Sequence, residues 1–176
     1  MEIEQLVTNL DLAKYCTLVS ESDRVFTSED CFIKIDDLTF TTKEKLFQNR
    51  YVVPIFVEFM DDGEHHIGHW VLLNCIDEKE NLYEYFDSLN YLQPKAKRIP
   101  SEIKRFLGKE ATQKLVTNSI LKKFRLQDKD SDSCGRFVIL RMMTAASHSC
   151  DDFVKFLTKP KKSPEELARY LISPVI

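Results

Sequence analysis

The sequence predicts an α+β fold, a mainly antiparallel sheet packed against a central buried helix, with flanking helices. Three observations carry this. The elements run helix, then strands, then helices, without the regular strand–helix alternation that builds a parallel sheet. Two apolar strands are joined by a short polar turn, which is most simply an antiparallel hairpin. The run from Cys134 to Ala146 is apolar on most faces, as suits a helix enclosed by the rest of the fold. The chain has 176 residues, 43% hydrophobic and 30% charged, with no internal repeat and no Pro/Gly/Ser-rich linker. It therefore reads as one domain, residues 1–176, large enough to bury a substantial core.

The elements follow in order. Ile3, Leu6, Val7 and Leu10 have the i, i+3, i+4, i+7 spacing of an amphipathic helix. Residues 16–50 are mixed in character and read as loop with short strands or turns. Residues 51–59, YVVPIFVEF, are β-branched and aromatic and predict a strand. The polar stretch 61–68, DDGEHHIG, reads as a turn, followed by a nearly continuous apolar strand over 69–76. The charged turn DEKEN leads into a third strand, 82–86. Pro94 and Pro100 mark a loop; 101–107 and 110–117 look helical, and 120–126 alternates as a strand does. The last helix has an explicit start, with Ser163 as N-cap, Pro164 at the first helical position and Glu166 as the capping-box partner.

Composition excludes several classes. Four Gly and six Pro rule out collagen-like or linker-dominated designs, and no apolar run approaches the roughly 20 residues that cross a bilayer. The opening MEIEQLVTNLDLAKYC has no signal-type apolar stretch, so neither export nor a membrane partner is expected. Five cysteines, at 16, 31, 75, 134 and 150, form no CxxC pair and no even framework, which favours thiols in a reducing compartment. Glu64, His65, His66 and His69 include an HxxxH spacing, but that spacing chelates on a helix. Here Gly63 and Gly68 flank it and a strand follows, so no metal is expected.

Chemistry concentrates in three islands. His69 opens an apolar strand, Asp87 closes the next in YEYFDSLN, and Cys134 lies in SDSCGRF at the start of the buried helix. If the two strands form a hairpin, His69 and Asp87 meet at one end of the sheet, where a carboxylate fixes the imidazole tautomer and supports its charged form. A helix N-terminus favours a thiolate, and a neighbouring imidazolium favours it further. Gly135 allows close approach of substrate to backbone N–H groups that face a developing oxyanion, and the Gln127 amide offers a second donor. Taken singly, each residue has a plainer reading as a packed thiol, an edge histidine or ordinary strand-end chemistry; the combination points to a thiol nucleophile.

In order and spacing, GHWVLLN, YEYFDSLN, Gln127 and SDSCGRF resemble the His-Trp, acidic, Gln and Cys-Gly islands of the adenain-like and SUMO-protease-like cysteine peptidases. The seven-residue step from Gln127 to Cys134, Ser133 where SUMO proteases have Asp, and the compact length are most similar to the maturation proteases of adenoviruses, virophages and polinton-type elements. The opening LVTNLDLAKYC and closing PEELARYL resemble, more loosely, the terminal helices of that group, whereas Asp87 stands where it has Glu, and residues 25–60 have no counterpart. The resemblance implies Cys134 as nucleophile, His69 as general base and then acid, Asp87 as its orienting partner, and Gln127 with the Cys134 N–H as oxyanion hole. It implies a narrow cleft roofed by Trp70, which on its residue type alone serves equally as core packing.

Residues 95–125 carry ten Lys/Arg against Glu102 and Glu110, a local +8 within a chain of net charge −3. Lys97, Arg98, Lys104 and Arg105 are the candidate nucleic-acid contacts, beside the plainer reading of a solvated face. The expected activity is that of a cysteine endopeptidase that cleaves capsid or other virion precursor proteins, acting as a monomer in the virion and host cell cytoplasm. No cofactor is required by the sequence; non-specific DNA or a peptide activator is what the resemblance allows. The alternatives are a SUMO- or ubiquitin-like-protein deconjugase, an acetyltransferase with a related site, and an inactive binding module.

Overall fold

The computed structural model describes residues 9–19, 24–61, 65–89, 99–118, 126 and 133–172, with side chains omitted at 9, 10, 58–61 and 65–67. Helix α1 spans Asn9–Val19, β1 Ile33–Lys34, a 3-10 helix Ile35–Phe40 and α2 Lys43–Leu46. Strands β2, Val52–Asp61, β3, His65–Asp77, and β4, Leu82–Phe86, follow. After them come α3, Ser101–Leu107, α4, Lys109–Gln113, and β5, Val116–Thr117. The chain then forms α5, Cys134–Thr144, α6, Cys150–Thr158, and α7, Pro164–Leu171.

These strands make one five-stranded sheet in the order β1-β2-β3-β4-β5. The central pairs, β2 with β3 and β3 with β4, are antiparallel, and each edge strand adds a parallel pair. The α+β class and the mainly antiparallel sheet thus hold, with short parallel edges that local periodicity does not reveal. Alternation along β3 sends Trp70 and Leu72 into one core and Val71 and Leu73 into the other. The first core is closed by α1, α5, α6 and α7, the second by the 3-10 helix, α2, α3 and α4. A strand buried on both faces must read as a continuous apolar run, as 69–76 does.

Three boundaries differ from the sequence reading. His65 to Gly68 lie in β3, because the ladder with β2 continues to Asp61–His65 despite the polar composition. An extended backbone places residues four apart at about 13 Å, which disposes of the HxxxH spacing as a chelate, and no cluster of metal-binding side chains occurs among the described residues. The helix read at 110–117 ends at Gln113, because Val116 and Thr117 pair with Glu84 and Tyr85 of β4. Helix α1 runs on to Val19, beyond the 3–10 stripe, of which residues 1–8 lie outside the described residues. The strand read at 120–126 falls almost wholly outside them as well. Helix α6 was not foreseen; Ser149 caps it by accepting the Asp152 N–H. At α7 the Ser163 hydroxyl accepts the Glu166 N–H, as the capping signature predicts. No described helix is long and apolar enough to cross a membrane.

One polar contact crosses the first core. Arg141 of α5 donates from Nε and Nη2 to the two carboxylate oxygens of Glu84 on β4, each at 2.7 Å, with both side chains 1% exposed. Arg141 also donates to the His148 carbonyl and the Thr144 hydroxyl. The helix that begins at Cys134 is thereby bolted to the strand that precedes Asp87.

Candidate active site

Three elements supply the site. The ladder between β3 and β4 ends at Leu72–Phe86, and Asp87 is the next residue, at the end of the sheet where β3 carries His69. The hairpin geometry brings together two residues 18 apart in sequence: His69 Nε2 lies 2.6 Å from Asp87 Oδ1. Both are buried, His69 at 4% and Asp87 at 5% exposure.

Asp87 Oδ1 also accepts the Leu89 N–H at 3.0 Å, an Asx turn that aims the carboxylate back along its own chain. The Asn118 carboxamide brackets the Asp87 peptide, accepting its N–H at 3.2 Å and donating to its carbonyl at 2.7 Å. Asn118 escaped the sequence reading. An Asn after a Val-Thr pair has no motif around it, and only the parallel β4–β5 pairing reveals what it faces.

Cys134 is the first residue of α5, and the helix is buried from Cys134 through Met142. The position exposes the thiol to the unpaired N–H groups and positive end of the helix. The Trp70 backbone N–H donates to Cys134 Sγ at 3.5 Å, so the residue after His69 also contacts the thiol. With Nε2 committed to Asp87, Nδ1 is the His69 nitrogen left for Cys134. Burial by itself pulls the His69 pKa down, but the Asp87 carboxylate and the Cys134 contact outweigh it and push the value up to about 10. The arrangement therefore holds an imidazole in its charged form between the Asp87 carboxylate and the Cys134 thiol.

Trp70 is 7% exposed and belongs to the first core, with the Phe32 ring edge-on at 5.2 Å and the Phe56 ring tilted at 4.9 Å. Gly68 makes room for this cluster: a Cβ there clashes with the Phe56 ring. The core-packing reading of Trp70 thus applies, alongside its backbone contact to the thiol. Gly135 is buried at the second position of α5. Gln127 lies outside the described residues, but Leu126 immediately before it donates its N–H to the Ser88 carbonyl at 3.0 Å, beside Asp87. Lys97 and Arg98 also lie outside them; Lys104 and Arg105 are exposed on α3, in the layer across the sheet from α5.

The Ulp1 protease family, C-terminal catalytic domain, matches residues 19–163, well over half of the chain. No curated protein matches it.

Proposed function

We propose, from the premise that the chain belongs to the Ulp1 protease family and is a cysteine peptidase, that Cys134, His69 and Asp87 are its catalytic triad. The observation that carries this reading is the buried 2.6 Å contact between His69 Nε2 and Asp87 Oδ1, with the His69 ring also in contact with Cys134. The Cys134 thiolate attacks the substrate carbonyl carbon; the C–S bond forms and the carbonyl π pair moves onto oxygen. The Cys134 N–H and the Gln127 amide stabilise that oxyanion. As the C–N bond breaks, His69 passes its proton to the leaving nitrogen, and a thioester remains. His69 then takes a proton from water, hydroxide adds to the thioester, and C–S cleavage releases the acid and restores the thiolate. Asp87 holds the ring in position and supports its charge throughout.

The finer reading is cleavage of virion precursor proteins, in the assembling particle and the host cell cytoplasm. Its support is the adenain-like seven-residue step from Gln127 to Cys134. The family match favours a second reading equally, removal of SUMO or a similar protein from its conjugates. One comparison separates them. The purified protein is offered SUMO and ubiquitin carrying a C-terminal thiol-reactive group, and in parallel a capsid precursor encoded beside its gene. The first reading expects precursor cleavage that Cys134→Ala abolishes and no labelling; labelling of Cys134 without precursor cleavage establishes the second. Cleavage that persists in Cys134→Ala overturns the triad itself.

A further inference from the structure

Asp87 stands past the end of the sheet on both sides. The β3–β4 ladder stops at Leu72–Phe86 and the β4–β5 ladder at Tyr85–Thr117, so no ladder pair holds the Asp87 peptide. The residue after Thr117 is Asn118, and its side chain continues what the ladder leaves off. A carboxamide presents its oxygen acceptor and an NH2 donor side by side in one plane, as an extended residue of a partner strand presents its C=O and N–H. Here the acceptor takes the Asp87 N–H at 3.2 Å, and the donor meets the Asp87 carbonyl at 2.7 Å. The polarity of that backbone fixes which way round the amide lies.

We infer that Asn118 is a positioning residue for the reaction: by bridging the N–H and C=O of Asp87 it fixes the two backbone rotations that aim the carboxylate at His69. Asn118 is itself 3% exposed, so water does not readily replace either bond. The far end of Asp87 is then set by His69 and the Leu89 N–H on Oδ1. Among the described residues, these four hydrogen bonds converge on Asp87, two on its backbone and two on its carboxylate. Asp and Ser at position 118 each lose part of the bridge. An ionised Asp accepts but does not donate, and a Ser hydroxyl has a single donor on a shorter stem. The two-residue strand β5 thereby acquires a purpose beyond edge pairing, which is to deliver Asn118 level with the triad acid.

The inference rests on the triad reading, and the test separates the two. Among the described residues, the titratable groups that set the His69 charge are Asp87, from the end of β4, and Cys134, from α5. The rate of Cys134 alkylation by iodoacetamide against pH, with the site identified by mass spectrometry, reports the thiolate–imidazolium pair without a known substrate. In the unaltered protein the profile breaks near pH 10, where His69 loses its proton. Asn118→Ala and the similarly shaped, uncharged Asn118→Leu are each expected to move that break down by about one pH unit, through a weakened His69–Asp87 bond. Asp87→Ala moves it further, toward the ordinary histidine range. A break that stays put in either folded Asn118 variant overturns the positioning role. So does the loss of cooperative unfolding in both variants with the residual folded protein alkylated as the parent is, since Asn118 is then structural only. A break unmoved in Asp87→Ala instead overturns the triad reading, whatever Asn118 does.

Discussion

Strand β4 and the residue that follows it supply the acids of two buried ion pairs within four residues, and the pairs are built differently. Glu84 lies inside the ladder and meets Arg141 with both carboxylate oxygens at 2.7 Å; Arg141 spends further donors on His148 and Thr144. Asp87 lies beyond the ladder and meets His69 through one oxygen at 2.6 Å, leaving the opposite side of the ring toward Cys134. The first pair is closed: its geometry is bidentate, its cation does not lose a proton, and it fixes α5 against β4. The second is open at the imidazole, whose proton has somewhere to go. Burial of a salt bridge therefore does not by itself indicate its role; what matters is whether the basic partner can give up a proton toward a third group.

The largest expected effect falls on the open pair. His69→Ala is expected to lower turnover by roughly 10³-fold or more while leaving cooperative unfolding intact. Peptidase assays and thermal melts on the same preparation check this, and a variant that loses both together dissolves the contrast. The closed pair behaves the other way. Arg141→Ala strands the Glu84 charge and is expected to cost about 3–5 kcal/mol in denaturant unfolding. Replacing both partners, Glu84→Leu with Arg141→Met, removes the stranded charge and restores most of that loss, and a double variant no more stable than Arg141→Ala contradicts it.

A further effect concerns pH. The folded state raises the His69 pKa to about 10, so its contribution to stability is complete below the ordinary histidine value near 6.5 and disappears as pH rises through about 10. This one group adds a slope of at most about 1.4 kcal/mol per pH unit across that window. His69→Gln is expected to flatten it, whereas an unchanged slope places its origin elsewhere. Smallest is Gly68→Ala, whose methyl group displaces Phe56 from Trp70 at a cost of about 1–3 kcal/mol. Calorimetry reads that cost; a neutral result means the aromatic cluster repacks freely.

What was legible in the sequence was what local pattern encodes. His69, Asp87 and Cys134 each sit where an apolar run begins or ends, so element boundaries advertised them, and hairpin logic alone paired the first two. The cap at Ser163 was equally plain. What escaped was set by partners distant in sequence. The polar residues at 65–68 look like a turn, yet they belong to β3 because β2 continues beside them. Val116 and Thr117 leave the helical pattern because an edge position on β4 is open to them. Glu84, Arg141 and Asn118 resemble ordinary surface residues on paper; only the packing of α5 and the reach of β5 make them buried partners. The role of Asp87 is visible in its carboxylate alone, whereas the partner of its backbone is set by the β4–β5 pairing.

The separation of 64 residues between Trp70 and the thiol its N–H touches has a consequence for synthesis. A ribosome completes the β3–β4 hairpin, with His69 and Asp87 already able to pair, well before Cys134 is translated. The nucleophile reaches its place only when α5 closes the first core, and Arg141, at the far end of that helix, cannot engage Glu84 until then. A nascent chain that ends before α5 thus holds His69 and Asp87 without Cys134. On the triad reading, proteolytic competence waits for α5 to close the first core.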